Sequence, residues 1–504
     1  MSRPQPCRRD AAGGDVRARR LSCWKKAAFA LVATILFFLS VELVLRGVGV
    51  EPILTTDPFA GVSSQAPLFI EQRRPDGRVV MRTAPAKLAH FNAQQFPKRK
   101  TEGVFRVFCV GGSTTYGRPY DDATSFSAWL RQLLPLVEPG RQWEVVNAGG
   151  VSYASYRVAA VMAQLARYDP DLFIVYTGHN EFLEERTYRN PRLWKTLRPV
   201  RAPLQQTRAY ALIDRLAGSL RSNPPPDLRQ PMSGEVDAIL DHTVGPSSYH
   251  RDDVLRASVL DHFTVNLHRM IDIARSCGAA IVLVTPACNE KDFAPFKSEH
   301  RDGLSPDQHA VWERHFNHGR TCEDRQDAAD ALDAYRAAAR IDDRFAQLHY
   351  RLGQVLLALD RRAEAGAALV RAVDEDICPL RALTGIADMI RRAAARREVP
   401  VVDFQNIVKN DCLRRFGHNV PGRAYFLDHV HPTIDGHRML ATALLERMQE
   451  MEIVGETDAG WKQTVVEKVA RRIHGRVDPV KRSEALRNLA KVLRNCPKIT
   501  HRIS

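Results

Sequence analysis

Three apolar runs along this chain each stop abruptly in a loop of glycine, serine and asparagine, and few folds accommodate that pattern. Val104-Phe105-Arg106-Val107-Phe108-Cys109-Val110 leads into Gly111-Gly112-Ser113-Thr114. Trp143-Glu144-Val145-Val146 leads into Asn147-Ala148-Gly149-Gly150-Val151-Ser152, and Leu172-Phe173-Ile174-Val175-Tyr176 leads into the loop bearing Gly178-His179-Asn180-Glu181. Short runs of this kind read as strands buried on both faces, a property of parallel sheets. Helical stretches separate them at 122–134 and 154–168, the second ended by Asp169-Pro170. A long helix at 254–277, a fourth strand at 279–285, a fifth at 400–404 and a closing helix at 433–451 extend the alternation. The class is therefore α/β with a parallel sheet. In such sheets the ligand crevice lies outside the carboxyl ends of the strands, where all three loops converge.

A fourth segment completes a chemical set. Asp428-His429-Val430-His431-Pro432 puts a carboxylate and an imidazole one helical turn apart. Ser113 can attack an acyl carbon, His431 can take its proton, and Asp428 can fix the imidazole tautomer and stabilise the imidazolium. Backbone N–H groups near Ser113 and Ser152, with the Asn180 side-chain amide, can stabilise an oxyanion. Rival readings of the same residues are weaker. Ser113 also suits a helix N-cap. Gly112 and Gly117 match the glycine spacing of a Walker A loop, but Arg118-Pro119 stands where Lys and Ser or Thr are required. His429, His431 and His437 cluster with a single carboxylate and no second ligand group, a poor case for a metal, and no cofactor is expected.

In this order the four segments resemble the blocks of the SGNH (GDSL-type) hydrolases, which carry Ser, Gly, Asn and His. Ser113 matches the nucleophile, Asn180 the third-block asparagine, and Asp428 and His431 the pair of the last block. The resemblance covers roughly residues 105–448, with two interruptions. It implies a flavodoxin-like three-layer α/β/α fold with a five-stranded parallel sheet, and an oxyanion hole built from Ser113, Ser152 and Asn180. Three departures stand out. Counting five residues on from Asn147, the register of the oxyanion glycine falls on Ser152, so Gly149 and Gly150 remain alternatives to it. The first block reads Gly-Gly-Ser-Thr in place of Gly-Asp-Ser, and the third reads Gly-His-Asn-Glu in place of Gly-x-Asn-Asp.

The activity implied is ester hydrolysis through an acyl-enzyme on Ser113. The same triad serves O-acyl transfer to a sugar hydroxyl of an envelope or exported polysaccharide, so the substrate is an ester or an acylated glycan. A non-catalytic scaffold is the rival from another class, and the intact Ser113, Asn180, Asp428 and His431 count against it. His179 and Glu181 line the pocket or pack beside it. Asn289 and Glu290 face the crevice by topology, with Lys297 and Ser298 on the same long loop.

Residues 1–26 hold eight Lys or Arg against Asp10 and Asp15, and residues 27–41 then run without a charge. The stretch 27–45, with Glu42 near its end, is about the minimum length for a transmembrane helix. The basic flank places the N-terminus in the cytoplasm and the catalytic part outside it, periplasmic in a Gram-negative cell. A cleaved signal peptide competes, but no A-x-A-like site follows the apolar run. Cys23 precedes that run, against a lipoprotein anchor. The net charge of +15 is spread along the chain without a nucleic-acid-binding signature, so no nucleic-acid partner is expected. Nine cysteines show no C-x-x-C pair, and Cys109 and Cys277 read as buried small hydrophobes.

At 504 residues the chain exceeds one core, and it divides as follows: a cytoplasmic tail 1–26, a membrane helix 27–45, a linker 46–103, a hydrolase part 104–311, two repeats 312–379, a second hydrolase part 380–452 and a basic helical extension 453–504. The first hydrolase part carries an insertion, 186–250, with a short helix at 210–220, read as a pocket wall or a surface decoration. The repeats rest on a period of 34: Gly319, Ala331, Tyr335 and Ala338 recur as Gly353, Ala365, Leu369 and Ala372. They resemble tetratricopeptide repeats, whose small residues let two helices pack closely, and a protein partner on their concave face is one reading beside plain packing. Two repeats are too few to stand alone, so they lean on the hydrolase or on a helix at 380–396. In the extension, Trp461, Val465, Val469 and Ile473 at helical spacing suit docking on the body or contact with an anionic membrane.

Overall fold

Strands that are apolar on both faces must be covered on both faces, and the architecture follows from that. The computed structural model describes residues 23–48, 67–183, 207–209, 212, 249–455, 460–480, 482–484 and 486–487. Among them lie eight strands in two sheets. Strands β1 (Phe69–Arg73), β2 (Val79–Thr83) and β3 (Gln95–Pro97) form a small antiparallel sheet. Strands β4 (Val104–Gly111), β5 (Gln142–Gly149), β6 (Leu172–Tyr176), β7 (Ala280–Val284) and β8 (Val401–Val402) form the main sheet, all parallel.

The main sheet runs in the order β5-β4-β6-β7-β8. Counted from its own first strand this is 2-1-3-4-5, the flavodoxin-like order, with the topological switch between β4 and β6. Gly111 pairs with both Gly149 and Tyr176, Tyr176 with Val284, and Val284 with Val402, so the carboxyl ends finish level.

Helices cover both faces. One layer holds α3 (Phe126–Val137), α11 (Phe404–Phe416), α12 (Ile434–Glu450) and α13 (Glu467–Arg476); the other holds α4 (Ser155–Leu165), α5 (Asp253–Ser276) and α10 (Thr384–Arg397). Side chains of β4 alternate between the two: Phe108 and Val110 join the α4–α5–α10 core, Val107 and Cys109 the other. Each fully buried apolar side chain contributes about 1.5–3 kcal/mol.

In the segment expected as a linker, 46–103, residues 49–66 lie outside the described residues, and the second half is occupied by strands β1–β3. Their core is aromatic: Phe69 meets Phe96 at 4.9 Å, and Phe96 meets Phe108 of β4 at 5.5 Å. Arg106, fully buried, ties this sheet down by donating to Pro97 O at 2.9 Å while pairing with Glu144 at 2.7 Å. Exposed charged residues such as Glu71 and Arg73 break the alternation that would mark a strand in the sequence. The expected fifth strand, 400–404, is reduced to two residues, since Asp403 caps α11 through Asn406 N.

Helix α1 (Cys23–Gly47) includes a stretch, Trp24–Gly47, long and apolar enough to cross a membrane, with a mean hydropathy of 2.5 over an 18-residue window within it. Residues 1–54 and 197–224 form one compact unit and the rest of the chain another. Within the first, Glu42 accepts from Ala209 N at 3.0 Å and lies 3.7 Å from Arg208 Nη1. Most of the insertion 186–250, including the helix expected at 210–220, lies outside the described residues.

Between β7 and β8 the chain forms two helical hairpins, α6 (Pro306–Asp324) with α7 (Ala328–Ile341), and α8 (Ala346–Ala358) with α9 (Arg362–Asp374). The residues of the 34-residue period occupy equivalent contacts. A Cβ on Gly319 would stand 2.5 Å from the Tyr335 ring, and one on Gly353 would stand 2.4 Å from Leu369 Cγ, so each glycine is where its hairpin closes. In α13, Val469 and Ile473 are fully buried in the main core together with Trp461 and Val466, so the apolar face of this helix is spent on the body. Gly353→Ala should lower stability by about 1–3 kcal/mol through overpacking, outweighing a helix-propensity gain of about 1 kcal/mol. Thermal or denaturant unfolding of the variant against the wild type measures this, and an unchanged midpoint would refute the close-packed hairpin.

Candidate active site

Helix α2 (Ser113–Tyr116) is a single turn that starts directly off β4. It can start there because its neighbours lack side chains. A Cβ on Gly111 would lie 2.0 Å from Tyr176 O, one on Gly112 would lie 2.5 Å from Asn180 Nδ2, and one on Gly149 would lie 2.4 Å from Tyr116 N. The second glycine of the first block, where the resemblance leads one to expect aspartate, is thus where the Asn180 amide comes against the backbone that leads into Ser113. Asn147 holds the far end of the turn: its Nδ2 donates to Thr115 O at 2.9 Å and to Asp122 Oδ1 at 2.8 Å. No role beyond block membership was assigned to Asn147 from the sequence; an asparagine at the inner end of an apolar strand was the available signal.

Ser113 Oγ lies 2.8 Å from His431 Nε2, and His431 Nδ1 lies 2.6 Å from Asp428 Oδ2. Asp428 Oδ1 accepts from Val430 N and His431 N, both at 2.8 Å. The three residues expected to act together are therefore joined in one hydrogen-bonded row. Asp428 is almost fully buried, which opposes its ionisation, but His431 and His429 and the hydrogen bonds from His431 outweigh that and hold its carboxyl below the usual range.

Hydrogen-bond accounting separates the three candidates for the oxyanion donor. Gly149 N donates to Asn147 Oδ1 at 3.0 Å, and Gly150 N donates to Gly111 O at 2.9 Å, so both are committed to structure. Val151 N and Tyr153 N donate to His90 O and Gly150 O. Among the described residues, the N–H groups of Ser152 and of Ser113 donate to no protein acceptor. Ser152 also has φ +63°, the left-handed conformation that glycine adopts without strain. Asn180 Nδ2 gives one hydrogen to Tyr153 O at 3.1 Å and keeps the other.

The remaining polar residues of these loops serve as supports. Glu181, buried, accepts from Ser155 N at 2.9 Å and from Ser155 Oγ at 2.7 Å, linking the Asn180 loop to the start of α4. Burial pushes its carboxyl up to about 7 against those hydrogen bonds. His179 Nδ1 accepts from Ala382 N at 3.2 Å, which leaves the ring neutral, and burial with His429 and His431 nearby pushes it down to about 3. Asn289, which the topology placed at the crevice, donates from Nδ2 to Asp428 O at 3.1 Å, and Glu290 pairs with Lys409 at 2.9 Å. His437 does not join His429 and His431; it stacks on Phe126 with neither ring nitrogen paired. Among the described residues no group of three His, Cys, Asp or Glu side chains is arranged to hold a metal.

No protein-family profile matches the chain, and no curated protein matches it. Solved structures do. The acetylxylan esterase Axe2 from Geobacillus stearothermophilus aligns at 14% identity and a TM-score of 0.31, over 70% of this chain and 96% of its own. An acetyl xylan esterase, AlAXEase, aligns at 12% and 0.31, over 68% and 98%. A GDSL-like lipase from Bacteroides thetaiotaomicron aligns at 11% and 0.26, over 69% and 88%. At such scores the likeness decides nothing about the reaction.

Two outcomes follow from this geometry. Ser152→Gly keeps the backbone donor and relieves a left-handed serine, so activity should stay within a few-fold of wild type and stability should be unchanged or up by about 1 kcal/mol; loss of activity would show that the hydroxyl, not the N–H, matters. The second concerns pH. Burial holds His179, His429 and His437 down to about 3, 4 and 3, so on acidification from about 6.5 the unfolded chain binds protons that the folded chain refuses. Stability then falls with pH by about 1.4 kcal/mol per unit for each group. Glu181 acts oppositely, its contribution being lost as pH rises from about 4.5 to 7, but it is common to both proteins compared. His437→Phe should be at least as stable as wild type at pH 7 and lose about 2 kcal/mol less on going to pH 5, read from urea midpoints.

Proposed function

We propose that the chain is a serine esterase of the SGNH/GDSL type that works through Ser113, His431 and Asp428. The observation that carries this reading is the row Asp428–His431–Ser113, with contacts of 2.6 and 2.8 Å, at the switch point of a parallel sheet beside two uncommitted backbone N–H groups. Ser113 Oγ attacks the ester carbonyl carbon as His431 Nε2 takes its proton. Asp428 stabilises the imidazolium and keeps its Nδ1 proton directed inward. The carbonyl oxygen, now negative, is received by the N–H groups of Ser113 and Ser152 and by the Asn180 amide. Collapse expels the alkoxide, which His431 protonates, and leaves an acyl group on Ser113. His431 then deprotonates water, and a second tetrahedral intermediate releases the acid and restores the serine.

The catalytic part is held to a membrane by α1, with the basic residues 1–26 on the cytoplasmic side and the active site on the other. Support for this comes from the apolar length of α1 and the eight Lys and Arg before it.

The test is turnover of p-nitrophenyl acetate and labelling by a fluorophosphonate in the full-length protein. Ser113→Ala should abolish both. Asp428→Asn should lower kcat by roughly 10⁴-fold, and Asn180→Ala by roughly 10²- to 10³-fold. Added glycan acceptors in the same assay read acyl transfer directly. Absence of labelling and turnover in the wild type would overturn the esterase reading.

A further inference from the structure

The face of the helical hairpins that a partner would use is already in contact with this chain. Lys291 O accepts from Tyr350 Oη at 3.1 Å and from Gln354 Nε2 at 2.6 Å, both on α8. Ser298 Oγ accepts from Gln347 N at 2.8 Å. His300 meets Asp342 Oδ2 through Nδ1 at 2.7 Å and the ring of Trp312, on α6, edge-on at 4.4 Å. Residues 291–300 therefore run along both hairpins much as a bound peptide would.

The chain leaving α9 adds two buried fixings. Asp376 accepts from Phe296 N at 2.8 Å and Lys297 N at 3.0 Å, and Ile377 N returns a bond to Lys297 O at 3.0 Å. Arg381 donates to Asn289 O at 2.6 Å and Phe293 O at 3.0 Å. Both side chains are essentially inaccessible to solvent, so these are charge-assisted bonds to backbone in a place where an unmade bond is costly.

The other side of the same segment meets the loop that bears the acid. Asn289 N donates to His429 O at 2.9 Å and Asn289 Nδ2 donates to Asp428 O at 3.1 Å. The rings of Phe293 and Phe296 stand 5.3 and 5.1 Å from that of His429. A continuous set of contacts thus leads from α6 and α8 to Asp428.

We propose that the helical insertion acts in cis, as a clamp on residues 289–300 that sets Asp428, and through it His431, with Asn289 as the positioning residue. The effect on rate rests on the esterase reading; the effect on order does not. Tyr350→Phe/Gln354→Ala removes the two bonds to Lys291 O from outside the active site, and Asn289→Ala removes the side-chain bond to Asp428 O while keeping the backbone bond to His429 O. In the full-length protein, active sites are titrated with a fluorophosphonate, and kcat per titrated site and KM are measured for p-nitrophenyl acetate. Both variants should lower kcat per site roughly 10- to 100-fold with KM little changed, and amide exchange across 426–432 should quicken. A merely structural role would reduce the titratable fraction or the melting temperature while leaving kcat per site and exchange at wild-type values, and that result would overturn the clamp. If the wild type proves unlabelled, the esterase reading falls, and the exchange comparison alone decides the clamp.

Discussion

A carboxylate taken out of water must be met on nearly every lone pair, and the burial of Asp428 is the constraint around which much of the second half of this chain is arranged. Removing an ion of this size from solvent costs several kcal/mol even after relaxation. His431 Nδ1 takes one oxygen, and the backbone of Val430 and His431 takes the other. Those two N–H groups come from the residues that immediately follow, so the loop has to fold tightly around the carboxylate, and its outer side has to be held by something else. Asn289 holds it at the carbonyl of Asp428, and the phenyl rings of Phe293 and Phe296 back the neighbouring His429. Pairing with an imidazole also directs the His431 Nε2 lone pair toward Ser113, since the tautomer is set by what the other nitrogen does.

On the opposite side of the crevice the governing term is steric. The Ser113 turn, the end of β5 and the Asn180 loop approach one another with contacts that a single Cβ would forbid at Gly111, Gly112 or Gly149. Close approach of three backbones engages the N–H groups of Gly149, Gly150, Val151 and Tyr153 in hydrogen bonds and leaves those of Ser113 and Ser152 without a protein acceptor among the described residues. A helix N-terminus leaves its first N–H groups unpaired by construction, and Ser113 is such a position. Ser152 is left over for a different reason: it is the left-handed third residue of the turn closed by Tyr153 N and Gly150 O, and the N–H at that position takes no part in the closing bond.

Much of this was legible in the residues themselves. Continuous apolar runs, three of them ending in glycine-bearing loops, identified four of the five parallel strands with little error, because a buried strand has no polar face to confuse with anything else. The fifth survives only as Val401–Val402, shortened because Asp403 is needed to cap the next helix. What the sequence hid was determined by contacts distant along the chain. The strands of 69–97 carry exposed Glu71 and Arg73, and their burial comes from Phe96 packing on Phe108, a partner that no local pattern announces. Gly149, Gly150 and Ser152 differ in whether another oxygen has taken the N–H, Asn147 Oδ1 for Gly149 and Gly111 O for Gly150. Asn147 and Asn289 are ordinary asparagines until their partners, Thr115 O and Asp428 O, are known.

The place of the insertion bears on its role. A domain inserted between β7 and β8 enters and leaves the sheet at two adjacent strands, and the segment that follows β7 emerges at the same level as the nucleophile because the carboxyl ends are in register. Anything that fixes that segment therefore acts on the crevice directly. A long loop such as 285–305 would by itself sample many arrangements, and each residue held in one of them costs about 1–2 kcal/mol of backbone entropy. Two close-packed hairpins offer a surface whose own order is already secured by Gly319 against Tyr335 and Gly353 against Leu369, so the loop can be held in a single arrangement. Two hairpins are fewer than repeat proteins of this kind usually need to be stable alone. Each part thus supplies what the other lacks: the loop completes the core of the hairpins through His300 and the buried Trp312, and the hairpins hold the segment whose Asn289 meets the carbonyl of Asp428.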